Sequence, residues 1–480
     1  MNWKPGRRSF LSSLAAAGAT WFSSGTLNAA ELVGATSDIS KTAKGGTKVD
    51  GDRIVAIKSG LGSTGNIYAE LGLTPIINIG GTITVIGNAL MKPEVMELAR
   101  MGNEHFVFLN ELEVVAGKFI ANLCKSPASH TGLVTGGSAA SIVIGYAAMM
   151  TEDFESRLEA LPDVTGFPRT EVIIQKQDRY PFDHQIRQTG AKLVEVETRE
   201  EMIAAINPRT VAIHFCPQAH RGQVSAEETV AIAKAHNIYS FCDGGGSSDL
   251  PPKAHLWEYQ TVGFDMVCFG GGKDISGPAG TGVLIGRKDL ISWALLNMSP
   301  QENRIGRSSK VGKEQIFALL KALELFVNQD EDATLRIFDA RAQVITHALA
   351  KLGVTALPRS GTFGVTLLYS WQWNPAKFNL TGTQVMEALA ATKPVAIGYI
   401  LPPNYAGSQG LRGRPDPNKP AAPAHDRGDA ADVRAHSNPH SFGFSTWVLK
   451  DGEDKIIADR LLEIFSAAMV PGSIPAAKKS

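Results

Sequence analysis

The sequence predicts an α/β protein: a large domain on a mostly parallel sheet (66–328), followed by a smaller C-terminal α+β domain (329–480). Three observations predict this. Between residues 171 and 285, six short β-branched runs alternate with stretches of helical periodicity, the pattern of parallel strands joined by crossover helices. Beyond residue 328 the order changes to strand, helix, strand, strand, helix. Finally, 44% apolar and 20% charged residues in a chain of 480 sit near the soluble globular average and supply a sizeable core.

Taken in order, residues 1–30 read as an address. Arg7-Arg8 precede a moderately apolar stretch that ends in Asn28-Ala29-Ala30. That is a signal-peptide layout, and Ser9-Phe10-Leu11 after paired arginines resembles a twin-arginine (Tat) leader. The expectation is export of the folded protein through the Tat machinery to the periplasm. Residues 31–65 are polar and rich in Gly, Ser, Thr and Lys, a mature N-terminal linker. No other run reaches 18 apolar residues, so no further membrane span is expected.

Helices are predicted at 92–101, 111–123 and 138–150, and strands at 171–174, 192–196, 210–215, 238–242, 266–269 and 281–285. Ser225, followed three residues later by Glu228, forms a capping box that opens a helix over 225–236. Amphipathic helices follow at 311–327 and 332–352, then strand 362–369, helix 382–391, strands 395–401 and 442–449, and helix 454–468. Between 401 and 440, 11 of 40 residues are Gly or Pro, a long functional or mobile loop. It holds Asp426, Asp429, Asp432, His436 and His440. The two histidines would suit a metal if they lay on a helix. Gly and Pro argue against that helix, so no metal site is expected.

Composition excludes several classes. The 47 Lys and Arg equal the 47 Asp and Glu, so the chain lacks the overall basic balance of a nucleic-acid binder, and no such partner is expected. Four cysteines without a CxxC pair exclude a disulfide scaffold and argue against a cysteine-held metal. Cys216, Cys242 and Cys268, each 26 residues apart in apolar runs, read as buried thiols on parallel strands.

Three segments carry chemistry. In 268–286, CFGGGKDISGPAGTGVLIG, a strand runs into three glycines and Lys273. Asp274 stands where a phosphate-binding P-loop needs Ser or Thr, so that motif is rejected. A lysine amine in a dry pocket becomes a Schiff-base nucleophile. In 238–246, IYSFCDGGG, a buried strand presents Asp243 at its C-terminal edge, where open α/β sheets bind ligands. In 134–141, VTGGSAAS, Gly136, Gly137, Ser138 and Ala139 open a helix, and free N–H groups there attract a phosphate. Taken singly, each has a plain alternative: a surface lysine, a turn cap and an ordinary helix start.

In order, phosphate cup, carboxylate and lysine resemble a fold-type-I (aspartate aminotransferase-like) pyridoxal-phosphate (PLP) enzyme. With PIINIGGTIT (75–84), RYPFDHQIR (179–187), FCDGGGSSDLPP (241–252), GGGKDISGPAGTG (270–282) and RIGRSSKVGKEQI (304–316), residues 72–468 resemble the selenocysteine synthase (SelA)-like family, which includes the D-glucosaminate-6-phosphate ammonia-lyases. The resemblance implies that Lys273 forms the Schiff base and moves protons, and that Asp243 pairs with the ring nitrogen. It implies that Gly137, Ser138 and Ala139 bind the cofactor phosphate. His184 is the expected ring-stacking or catalytic group, with Tyr180 and Phe182 as rivals. Gln218 and His220 are expected beside the ring. Arg307 and Lys310 are expected to bind a substrate carboxylate or phosphate. Asn78 and Thr82 are expected at the site mouth, in a homodimer or larger homo-oligomer.

The tRNA-using members of that family carry an N-terminal RNA-binding domain. Here that region holds a leader and a linker. The expected reaction is therefore α,β-elimination, of the ammonia-lyase or dehydratase type, on an amino acid or amino-sugar acid. The alternatives are SelA-like β-replacement, class V-type transamination, and a non-catalytic exported binding protein.

Overall fold

The structure, a computed structural model, describes residues 61–245, 253–358, 369–391, 396–398 and 438–470. The leader, most of the polar linker, and Asp426, Asp429, Asp432 and His436 lie outside the described residues. The chain divides into two compact units. In the first, the described residues 61–74 hold a short helix, Ile67–Glu70, whose N-terminus Asn66 caps. Glu70 accepts N–H bonds from Gly62 and Thr64.

The second unit contains a seven-stranded sheet: β2 (His130–Thr135), β3 (Glu171–Gln175), β4 (Lys192–Val196), β5 (Thr210–Phe215), β6 (Tyr239–Asp243), β7 (Met266–Gly270) and β8 (Gly282–Arg287), in the order β2-β8-β7-β6-β5-β3-β4. Its members are parallel except β8, which runs antiparallel to both β2 and β7. Successive side chains of a strand face opposite sides. Met266 and Cys268 accordingly join one core with the helices Ser138–Thr151 and Lys288–Leu296, while Val267 and Phe269 join another with Leu109–Leu123 and Lys313–Asn328. Helices thus cover both faces of the sheet, the arrangement of α/β folds.

Most predicted strand limits hold within a residue or two. Ser225 caps the helix Ala226–Ala235 by the predicted box. Beyond the main sheet, β9 (Thr355–Ala356), β10 (Tyr369–Gln372) and β12 (Ser441–Phe444) form an antiparallel sheet in the order β12-β10-β9. The helices Glu331–Ala350 and Glu453–Ala467 share its apolar core. The strand expected at 395–401 is β11 (Ala396–Gly398), and it pairs in parallel with β1 (Ile76–Asn78) from the start of this unit. Sequence order concealed this pairing, because 317 residues separate the two strands.

Among the described residues, no helix is long and apolar enough to cross a membrane, and no cluster of three or more His, Cys, Asp or Glu could hold a metal ion.

Candidate active site

Parallel strands deliver their C-terminal ends to one edge of a sheet, and ligands of such folds bind there. Each predicted site segment except 304–316 and 75–84 begins at such an end. β2 leads into Gly136 and Gly137, β3 into Tyr180 and His184, β5 into Gln218 and His220, β6 ends on Asp243, and β7 leads into Lys273.

The cup is built by the turn from β2 into the helix Ser138–Thr151. Gly137 is its N-cap with φ 107°, and no side chain caps the first N–H groups. Those donors are left for an anion. Only glycine adopts this φ without strain, and the space above Gly137 is open. From behind, β8 presses on the turn: a Cβ at Gly282 would lie 2.5 Å from the Gly137 carbonyl carbon.

Asp243 is 5% exposed. Its Oδ1 accepts the Gly245 N–H at 2.9 Å and the Cys268 thiol at 3.4 Å, and its Oδ2 accepts the Tyr180 hydroxyl at 2.5 Å. The thiol arrives because Asp243 and Cys268 are register partners on the parallel strands β6 and β7. A Cβ at Gly245 would sit 2.8 Å from both Asp243 Oδ1 and Ser138 Oγ, so cup and carboxylate meet at this glycine. Lys273 lies in the turn after β7 and folds back over it. Its Cγ and Cδ would be 3.6 Å from a Cβ at Gly270, which would itself lie 3.3 Å from the Gly245 carbonyl oxygen. The Lys273 side chain, the carboxylate and the helix N-terminus are therefore gathered around Gly245 and Gly270.

The segment 304–316 also reaches the cup. A Cβ at Gly136 would lie 2.9 Å from the Ser309 carbonyl oxygen, and one at Gly306 would lie 2.9 Å from Ile144 on the cup helix. Arg307 and Lys310, half-buried and exposed, flank this contact. The Ala89 N–H donates to the Gly272 carbonyl at 3.0 Å, so the stretch that follows Asn78 and Thr82 abuts the Lys273 turn. The Asn78 side chain ties its own turn together through Gly80 and Gly81. The Thr82 hydroxyl is buried with no partner among the described residues.

Two of the expected residues stand apart from the Asp243 cluster. His184 is exposed at the start of the helix His184–Gln188, and its Nδ1 faces Arg187 at 3.2 Å. The ring that reaches Asp243 from this segment is Tyr180; Phe182 stays 56% exposed. The reason is local. Asp183 accepts the Tyr180 N–H and the Arg179 guanidinium, which turns Tyr180 inward and starts the helix with His184 outside. His220 bonds Asp178 at 2.9 Å and packs on Phe215 with ring centres 4.8 Å apart. It locks the β3 and β5 loops together. Gln218 is half-buried in the turn after β5.

Sequence reasoning missed His214 and Tyr146. Tyr180 also contacts His214 Nε2 at 3.0 Å, and His214 Nδ1 lies 2.8 Å from the Tyr146 hydroxyl. The available signal was a histidine inside the apolar run TVAIHF, since a buried imidazole needs polar partners. All four cysteines are free and buried, and burial pushes each thiol up.

These residues fit PLP. The open, uncapped helix start suits its phosphate, the buried carboxylate suits its ring nitrogen, and the Lys273 amine suits its aldehyde.

Comparison with known proteins agrees. Residues 183–300 match the aminotransferase class-V family. D-glucosaminate-6-phosphate ammonia lyase of Salmonella typhimurium is 30% identical over 274 residues, covering 54% of this chain and 70% of that protein. L-seryl-tRNA(Sec) selenium transferase of Serratia proteamaculans is 23% identical over 316 residues, covering 58% and 63%. A solved structure of D-glucosaminate-6-phosphate ammonia-lyase superposes with a TM-score of 0.67 at 23% identity, covering 84% of this chain and all but 1% of that one. The fold is thus that of the fold-type-I, aspartate aminotransferase-like enzymes. The chain belongs to the family of PLP-dependent enzymes that includes D-glucosaminate-6-phosphate ammonia-lyase.

Proposed function

We propose that this enzyme is a lyase that performs α,β-elimination, releasing ammonia or water from an amino acid or amino-sugar acid. The observation that supports it most is the convergence of Asp243, Ser138 and the Lys273 side chain around Gly245 and Gly270, in a chain 30% identical to an ammonia lyase.

When bound, PLP supplies an electron sink that stabilises a carbanion at the substrate α-carbon. The protein's part follows from its own groups. Lys273 Nζ would hold the cofactor and serve as the base that moves the α-proton. Asp243 would hold a proton on the ring nitrogen. Gly137, Ser138 and Ala139 would anchor the phosphate with backbone N–H groups and one hydroxyl. Arg307 and Lys310, beside the cup, would orient a carboxylate or phosphate on the substrate.

The test is a screen of the cofactor-loaded protein against D- and L-amino acids and amino-sugar acids for release of keto acid with ammonia. Keto acid plus ammonia supports the lyase. Consumption of a keto-acid acceptor would replace it with transamination, and release from none of them would defeat it. The proposal extends to a Tat-exported, periplasmic homodimer, checked by fractionation of cells and by sedimentation of the purified protein.

A further inference from the structure

A line of buried polar groups ends on Asp243. The Tyr146 hydroxyl lies 2.8 Å from His214 Nδ1, His214 Nε2 lies 3.0 Å from the Tyr180 hydroxyl, and that hydroxyl lies 2.5 Å from Asp243 Oδ2. Tyr146, fully buried, comes from the cup helix; His214, 2% exposed, comes from β5. The imidazole is stacked between Tyr180 and Phe241, at centre distances of 5.8 and 5.9 Å and interplanar angles of 12° and 17°. It has little freedom to turn.

Proton positions follow from the partners rather than from observation. Burial raises both tyrosines well above their ordinary range, so both keep their protons. Burial pushes His214 down to about 4, so the ring is neutral and carries a single proton. The Tyr146 hydroxyl meets His214 Nδ1, and a buried O–H that donates to nothing carries its full desolvation penalty. Tyr146 therefore donates to Nδ1. The imidazole proton then sits on Nε2 and is donated to the Tyr180 oxygen. The Tyr180 proton is left for Asp243. All three donors point the same way.

This matters for the carboxylate. Among the described residues, the Gly245 N–H, the Cys268 thiol and the Tyr180 hydroxyl take three of the roughly four acceptor positions that a carboxylate offers, which is compatible with a further bond from a ring N–H. Donors to an ionised carboxyl favour that form, so a proton shared with a ring nitrogen stays on the nitrogen. We propose that Tyr146 and His214 are positioning residues: they fix the polarity of this hydrogen-bond line so that Tyr180 always donates to Asp243, which keeps the cofactor's ring nitrogen protonated. The inference rests on the PLP reading. In Tyr146→Phe, Nδ1 loses its donor, the imidazole can carry its proton there, and Tyr180 can turn its own proton to Nε2 and away from Asp243.

The experiment loads wild type, Tyr146→Phe, His214→Phe and His214→Gln with cofactor labelled with 15N in the ring. It reads the ring-nitrogen resonance by NMR and the cofactor dissociation constant by titration. Wild type should resonate in the pyridinium range. Tyr146→Phe and His214→Phe should move toward neutral pyridine and bind roughly tenfold more weakly. His214→Gln, whose amide N–H can still donate to Tyr180, should recover most of both. If Tyr146→Phe keeps the wild-type resonance and affinity, the inference is overturned, whatever becomes of the His214 variants. A wild-type protein that takes up no cofactor would instead overturn the cofactor reading, so the two failures are separable.

Discussion

Glu113 offers a test of how the edge of the main sheet is held. The residue is 3% exposed, and its Oε2 accepts the Val134 N–H at 3.1 Å. Val134 belongs to β2, an end strand of the sheet and the strand that delivers the phosphate cup. Burial, opposed by that hydrogen bond, raises the carboxyl from 4.5 to about 8. A group whose folded pKa lies above its unfolded value binds its proton more tightly in the folded state. Its contribution is fully present below about pH 4.5 and is lost as pH rises through about 8. At about 1.4 kcal/mol per pH unit, the whole span is worth at most ~5 kcal/mol. Glu113→Gln is neutral at every pH, and its amide oxygen can still accept the Val134 N–H. Urea unfolding of both proteins at about pH 5 and about pH 8.5 is the assay. Near pH 5 the two should differ little. Near pH 8.5 the Gln variant should be more stable, by on the order of 4 kcal/mol. A stability difference that is the same at both pH values would refute the reasoning.

Three further substitutions probe other parts of the structure. Gly245→Ala places a Cβ 2.8 Å from Asp243 Oδ1 and Ser138 Oγ; it should leave circular dichroism unchanged while weakening cofactor binding at least roughly tenfold, a loss of ~1.4 kcal/mol, and unchanged affinity would contradict the crowding argument. Asp178, 2% exposed, accepts from His220, the Arg221 and Gly222 N–H groups and Gln175; Asp178→Ala orphans these donors and should cost about 3 kcal/mol or more by denaturant titration. Ser225→Ala removes the N-cap of Ala226–Ala235 and should cost about 1 kcal/mol, with cofactor affinity untouched.

What the sequence made legible, and what it hid, follows from how local each signal is. β5 is a fully buried apolar run inside the sheet, so it appears at its predicted limits. The Ser225 box lies within four residues and is equally plain. β2 escapes the strand pattern because the histidine, glycine and threonines of HTGLVT dilute its apolar run. The antiparallel sense of β8 and the pairing of β1 with β11 depend on tertiary packing that no short window contains. The site divides the same way. Lys273, Asp243 and the Gly137–Ser138 cup stand at strand ends amid glycines, and spacing exposes them. The choice of Tyr180 over His184 rests on the inward turn that Asp183 imposes. His214 and Tyr146 occupy the interiors of an apolar strand and an apolar helix, where periodicity marks them as core and only the folded chain brings them together.

The proposed point of covalent attachment for the cofactor is the amine of Lys273. Incubating the purified protein with PLP, reducing it with borohydride and mapping its peptides measures this directly. A pyridoxyl group on Lys273, and none in Lys273→Ala, is the expected result. An unmodified Lys273, or a pyridoxyl group found on another lysine, would contradict it.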